Sequence, residues 1–260
     1  MSGSPTLKGR RILVVGASAG IGEAFARSAV ALGADVCVSA RRLDKLEQLC
    51  SDLGSGHAVA ADVVDPEQCA ALVATAVERL GGLDLVLYTA GAARLAPLES
   101  AGVDAWRVSY DVNVVGPALV AQAALPHMTR EGMIGFLSSE GVNEFRWGLA
   151  TYAASKAALD TTINYWRQEH PELRFSRIVV GATMPTDFGN NFTDMELLTV
   201  ALDKWAGSGI AMTAMETSDV GQSLAELMAV VLAHPEIDIA DLFLDARLSG
   251  TMPPVPGIDI

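Results

Sequence analysis

Residues 11–42, RILVVGASAGIGEAFARSAVALGADVCVSARR, decide how the rest of the chain is read. The apolar run at 11–16 has the length and composition of a strand buried on both faces. The Ala-rich stretch at 22–33 has helical period, and VCVSA at 36–40 is a second buried strand. Strand, helix and strand in that order form a βαβ unit, which makes the two strands parallel and lays the helix on one face of their sheet.

Outward from that unit the alternation continues. A helix at 43–52, strand HAVAA at 57–61, a helix at 66–80 and strand LDLVLY at 83–88 come first. A long helix over 103–127, strand MIGFLS at 133–138, a second long helix over 151–169 and strand FSRIVVG at 175–181 follow. A helix over 218–233 and strand DLFLDA at 241–246 complete the pattern. Asp65 before Pro66 reads as an N-cap with proline at the first helical position. Only residues 183–215 lack the rhythm, and no repeat, linker or composition break divides the chain. The expectation is a single doubly wound α/β domain over 1–260, Rossmann-type, with about seven parallel strands and helices on both faces of the sheet.

Composition bounds the function. The 260 residues are 50% hydrophobic and carry 18 Lys+Arg against 31 Asp+Glu, a formal net charge of −13. A pI near 4.6 leaves no basic face for phosphates, so nucleic acid is excluded as a partner. Cys37, Cys50 and Cys69 form no CxxC pair, and MSGSPTLKGRR lacks the apolar core of a signal peptide, which points to a reducing cytoplasm. No apolar run approaches bilayer length, so no membrane span is expected. His57, His127, His170 and His234 are scattered without ligand spacing, so no metal is expected.

The first strand ends in Gly16-Ala17-Ser18-Ala19-Gly20-Ile21-Gly22, which opens directly into a helix. Three glycines at fixed spacing arise by chance in roughly one such sequence in five, so the pattern gains its meaning from its place at the first βα turn. There glycine lets the chain turn sharply, bring backbone N–H groups to a pyrophosphate and pack helix on strand, which points to dinucleotide binding. A dinucleotide's ribose is read at the end of the second strand, where an acidic side chain would accept from the 2'-hydroxyl. Ala40, Arg41 and Arg42 stand there instead. Nothing repels a 2'-phosphate and a guanidinium fork can bind one, which favours NADP(H), with NAD(H) possible. Two arginines on a solvated helix start are the competing reading.

Tyr152 and Lys156 in TYAASKAAL lie four apart on one helix face. In a chain with four tyrosines and four lysines this spacing arises by chance in roughly 6% of sequences, so the pair is informative. A phenol titrates near 10, and a neighbouring ammonium favours its phenolate and brings it toward acid/base use. An exposed tyrosine beside a salt-bridging lysine is the bland alternative.

With these residues in hand, the chain resembles the short-chain dehydrogenase/reductase superfamily over nearly its whole length. VGASAGIG stands for the family's TGxxxGxG, Thr89-Ala90-Gly91 for its NNAG and Tyr152…Lys156 for its YxxxK, preceded by Ser138-Ser139. The resemblance implies a role for further residues. A serine thirteen positions before the tyrosine selects Ser139 over Ser138, VNVVG places the family's asparagine at Asn113, and Asp62 and Val63 match the pair facing the adenine. It implies Tyr152 as proton donor and acceptor, Lys156 depressing its pKa and holding the nicotinamide ribose, Ser139 polarising the reacting oxygen, and Asn113 fixing a water in a proton relay. The cofactor set is then Gly16, Ser18, Gly20, Ile21, Gly22, Arg41, Arg42, Asp62, Val63, Ala90, Gly91, Tyr152 and Lys156, with Thr186 as partner of the carboxamide.

The sequence also departs from the family pattern. Val15 replaces a threonine and Tyr88-Thr89 two asparagines, so hydrogen bonds of the central sheet must come from elsewhere, and no Pro-Gly follows the sixth strand. Region 183–215 holds Met184, Phe188, Phe192, Met195, Leu197, Leu198 and Trp205 where the family's substrate loop lies. With Phe145 and Trp147 these side chains suit a lid over a largely apolar ketone, aldehyde or alcohol, or else core packing or subunit contact. The two Ala-rich long helices and the family likeness point to a homo-oligomer, a dimer or a homotetramer. The tail TMPPVPGIDI at 251–260 reads as a segment that crosses a neighbour or frays. A cofactor-binding regulator or scaffold without turnover remains the alternative of another class, disfavoured because it has no chemical need for all four of Asn113, Ser139, Tyr152 and Lys156.

Overall fold

The computed structural model describes residues 5–208 and 213–246. The elements run β1 (Arg11–Val15), α1 (Gly20–Ala31), β2 (Asp35–Ala40), α2 (Leu43–Leu53), β3 (His57–Ala60), α3 (Pro66–Leu80), β4 (Leu83–Tyr88), α4 (Val103–Tyr110), α5 (Gly116–Ala124), β5 (Met128–Ser139), α6 (Ala150–Glu169) and β6 (Arg174–Val180). Then come β7 (Thr183–Met184), α7 (Met195–Gly207), β8 (Met215–Glu216), α8 (Thr217–Ala233) and β9 (Asp241–Leu244). Seven strands form one parallel sheet in the order β3-β2-β1-β4-β5-β6-β9. The strand order reverses between β1 and β4, and in doubly wound sheets ligands bind at the carboxyl ends of the strands at such a switch point.

Side-chain alternation explains why the strands read as continuous apolar runs. Ile12, Val14, Leu85 and Leu87 face a core shared with α1, α2 and α8, through Phe25, Leu46, Leu224 and Met228. Leu13, Val15, Val86 and Tyr88 face the opposite core with α3, α5 and α6, through Leu72, Val120, Leu159 and Ile163. A strand covered on both faces has no polar side. Asp65 caps α3 by accepting from the N–H groups of Glu67 and Gln68, with Pro66 next, and Gly81 ends the helix in the left-handed region.

Two expectations need correction. The stretch 103–127 is not one regular helix: between α4 and α5 the turn Asp111–Val115 is a π-helix, and Leu125–His127 tightens into a 3₁₀ turn. Region 183–215 is not irregular throughout. Asp194 accepts from the Leu197 N–H and starts the thirteen-residue α7, while β7 and β8 pair at the base of the region, Thr183 opposite Met215. The tail at 251–260 lies outside the described residues.

Candidate active site

At the β1–α1 turn the N–H groups of Gly16 and Ala17 both donate to the Ser39 carbonyl at the end of β2, at 2.7 and 3.0 Å. A Cβ on Gly16, whose φ is +96°, would sit 2.4 Å from the Ala90 nitrogen, and one on Gly22 would sit 2.4 Å from Thr89 Oγ1. Both positions therefore require glycine. Thr89 is the residue that replaces the missing sheet hydrogen bonds: its hydroxyl and its N–H each donate to the Val15 carbonyl at 2.8 Å. Tyr88 fills core space and donates its hydroxyl to the Val112 carbonyl at 2.7 Å. Ala19 puts no side chain over the first turn of α1, so the bare amides of that turn and the side-chain-free glycine arc form a cradle that fits a dinucleotide pyrophosphate.

Arg42 reaches back to this turn, donating to Ser18 Oγ at 2.8 Å and the Ser18 carbonyl at 3.3 Å. Its guanidinium also pairs with Asp187 at 2.5 Å. Arg41 is exposed and makes no ion pair among the described residues. Asp62 and Val63 follow β3 on the same side of the sheet. The Asp62 carboxylate accepts from the Val64 N–H at 3.3 Å, and Val63 lies against Gly116. Thr186 packs on the glycine turn, its methyl 3.5 Å from where a Cβ on Gly20 would stand.

Gly91 links the cradle to the second cluster, since its Cβ position lies 3.6 Å from Asn113 Oδ1 and 3.9 Å from Lys156 Nζ. Asn113 is fully buried in the π-helical turn. Its amide donates to the Ala92 carbonyl at 2.8 Å and to Ser155 Oγ at 2.9 Å, and its oxygen accepts from the Ala92 N–H at 2.9 Å. Ser155 in turn donates to the Tyr152 carbonyl at 2.7 Å, so Asn113 ties the π turn to the first turns of α6. Such turns recur at functional sites because they redirect one side chain within a helix. Ser139 ends β5, where its oxygen accepts from the Gly141 N–H at 3.1 Å.

Lys156 donates to the Leu137 carbonyl at 2.7 Å, with Nζ 5.9 Å from the Tyr152 ring centre. Burial pulls its pKa down to about 8, and only Asp160, one turn on, opposes this. The Tyr152 phenol is raised above its ordinary value, chiefly by burial, while the Ser139 hydroxyl and the charge of Arg146 draw it back. Ser139 and Arg146, rather than Lys156, oppose the desolvation of the phenol in this geometry, where the ammonium serves the Leu137 carbonyl.

Sequence reasoning missed the polar wall beside the tyrosine. Arg146 Nη2 lies 2.6 Å from Glu140 Oε1 and 3.2 Å from Glu144, and Glu140 also accepts from the Ala182 N–H at 3.0 Å. Burial first, then nearby carboxylates, raise the Glu140 pKa against the pull of Arg146. The available signal was a carboxylate directly after Ser139. Opposite, Ala93, Leu149 and Phe192 form an apolar cluster with Tyr152, Phe188, Leu198 and Trp205. Phe188 meets the Tyr152 ring edge-on at 4.9 Å, and Trp205 donates to the Trp147 carbonyl at 2.9 Å. Phe145 was expected on this wall, but it is 84% exposed and does not join the cluster, and Met184 and Met195 are exposed too. Among the described residues no group of three or more His, Cys, Asp or Glu side chains is placed to hold a metal, and no helix is long and apolar enough to cross a membrane.

A reversing parallel sheet with a bare glycine turn at its switch point is the frame of a dinucleotide-binding protein. The family model for short chain dehydrogenases matches residues 10–197. The chain is 33% identical over 226 residues to the glycine betaine reductase ATRR of Emericella nidulans, covering 84% of this chain and 17% of that much longer protein. It is 29% identical over 242 residues to an uncharacterized oxidoreductase of Listeria innocua, covering 89% of this chain and 93% of the relative. Among solved structures, a short chain dehydrogenase from Burkholderia cenocepacia in complex with NADP superposes with a TM-score of 0.78 at 28% identity, covering 92% of this chain and 97% of that one. The chain belongs to the short chain dehydrogenase family and is an NAD(P)-dependent oxidoreductase.

Proposed function

We propose that this chain, acting as a single domain over 1–260 with 183–215 as its substrate region, interconverts a ketone or aldehyde and the corresponding alcohol on a largely apolar small molecule, with NADP(H) preferred over NAD(H). The observation that carries the reading is the junction at Gly91, where the strand end supporting the glycine cradle runs directly past Asn113 and Lys156. When bound, the nicotinamide supplies or accepts the hydride. Tyr152 holds the proton that enters or leaves the substrate oxygen, and its burial favours the protonated form that reduction needs. Ser139 sits at the strand end to hydrogen-bond the same oxygen and polarise it. Lys156 lies within reach of the ribose side of the cleft and supplies positive charge beside the phenol, while Asn113 fixes the turn that positions α6. Phe188, Phe192, Leu198 and Trp205 exclude water and favour an apolar substituent.

Arg42 against Ser18, with Arg41 exposed beside it and no carboxylate at the end of β2, supports the 2'-phosphate preference. The free thiols of Cys37, Cys50 and Cys69 suit a reducing cytoplasm, and the exposed apolar side chains of α4 and α6 suit a homo-oligomer, dimer or tetramer. The test follows nicotinamide absorbance with NADPH and NADH against aliphatic, steroidal and aromatic ketones. The wild type is expected to turn over with NADPH, and Tyr152→Phe to lose at least about a hundredfold in kcat. Equal turnover in the variant overturns the role of Tyr152.

A further inference from the structure

Arg42 joins parts of the chain that lie 145 positions apart. Its Nη2 donates to Ser18 on the glycine turn and to Asp187 Oδ2, while the other Asp187 oxygen accepts from Asn190 Nδ2 at 2.8 Å. Asp187 opens the short 3₁₀ turn Asp187–Asn191. On one side of it Thr186 rests against Gly20, and on the other Phe188 packs edge-on against the Tyr152 ring. Three consecutive residues therefore span the cleft from the arginine to the tyrosine.

We propose that Asp187 is a specificity-determining residue: its carboxylate competes with the 2'-phosphate of the dinucleotide for Arg42, and a ligand bearing that phosphate breaks the ion pair that ties the 186–192 segment to the glycine turn, while Phe188 keeps its place on the Tyr152 ring. This rests on the reading of NADP(H) as preferred cofactor. A phosphate monoester carries close to two negative charges and three acceptor oxygens, so it outcompetes one carboxylate for a guanidinium fork. Both anions on one guanidinium would repel each other at close range, so Asp187 leaves. A 2'-hydroxyl carries no charge and displaces nothing. The Arg42–Asp187 pair is half exposed on both sides, which keeps it weak enough to be exchanged.

The test uses 2',5'-ADP and 5'-AMP, which carry the adenosine end alone, on the full chain. Calorimetric titration is run on the wild type, Asp187→Asn and Arg42→Ala, with hydrogen exchange followed over 186–192. The expected result is that 2',5'-ADP binds the wild type more tightly than 5'-AMP and that Asp187→Asn tightens 2',5'-ADP about threefold to fivefold while leaving 5'-AMP unchanged. Saturating 2',5'-ADP, but not 5'-AMP, speeds exchange over 186–192 in the wild type, and in Asp187→Asn exchange is already fast. If Arg42→Ala abolishes the preference for 2',5'-ADP, but Asp187→Asn binds it no tighter or the ligand leaves exchange unmoved, the role of Asp187 is overturned while the cofactor reading stands. If the wild type binds both nucleotides alike, the cofactor reading fails and the inference with it.

Discussion

Lys156 keeps an ammonium group where only 3% of the residue reaches solvent, and this has a measurable thermodynamic consequence. Lowering its pKa from 10.5 to about 8 corresponds to about 3 kcal/mol of unfavourable interaction with the charged form in the folded state. The folded chain gives up this proton before the unfolded chain does. The penalty is therefore complete below pH 8, shrinks as pH rises from about 8 to 10.5, and vanishes above that range. Lys156→Met removes the charge but leaves the Leu137 carbonyl without its donor, which costs about 1 kcal/mol. The variant is expected to be inactive yet more stable than wild type by about 2 kcal/mol at pH 7, with the gap narrowing toward pH 10, as read by urea denaturation at the two pH values. A variant less stable at both would show that the ammonium is well solvated by its surroundings. At this scale the sequence was informative wherever chemistry is local: the spacing of Tyr152 and Lys156 and the glycines of the first turn are visible as written. Arg42 with Asp187 was not, because the partners are brought together only by the fold.

At the scale of elements, strands were legible because burial on both faces leaves apolar runs in the inner parts of β1, β4 and β5, with Arg11 and Asp84 near the strand starts paired to each other at 2.9 Å. Region 183–215 hid α7 because its apolar residues were read as the lining of a loop, although Asp194 and the spacing of Leu197, Leu198, Ala201 and Trp205 carry a cap and a helical stripe. The π turn at Asp111–Val115 had no local signal, since it depends on Asn113 bonding across to Ala92 and Ser155. Helix packing was equally invisible. Gly221 of α8 lies so close to α1 that a Cβ there would stand 2.5 Å from the Ala24 Cβ and 2.6 Å from its carbonyl carbon. Backbone cannot yield as a flexible side chain does, so Gly221→Ala forces the helices apart. The expected cost is about 2 kcal/mol, lowering Tm by roughly 4 to 8 °C in a thermal denaturation scan. An unchanged Tm would mean that α8 slides freely along α1.

For the whole molecule, the acidic balance and the exposed apolar residues pull in opposite directions. Each copy carries −13, which favours separation of copies at low ionic strength. Val103 is 64% exposed and Trp106 38% exposed, one turn apart on α4, and Tyr165 is 63% exposed on α6, the helix against which α4 packs. Val103 and Trp106, one turn apart, gain by burial against a second copy, and a two-fold axis beside α4 would bury the same pair from both sides, with Tyr165 farther along α6. Association through this face would set an apolar patch against a charge repulsion that salt screens. Sedimentation is expected to show a dimer or tetramer at 0.15 M salt and weaker association at 0.01 M, where the Debye length grows from about 8 to 30 Å. Val103→Glu with Trp106→Glu is expected to give monomers at both salt concentrations, because burying four carboxylates in one interface costs more than the patch supplies. A wild type that sediments as a monomer at 0.15 M salt would refute this interface, and an oligomer that survives the double substitution would place it on another face.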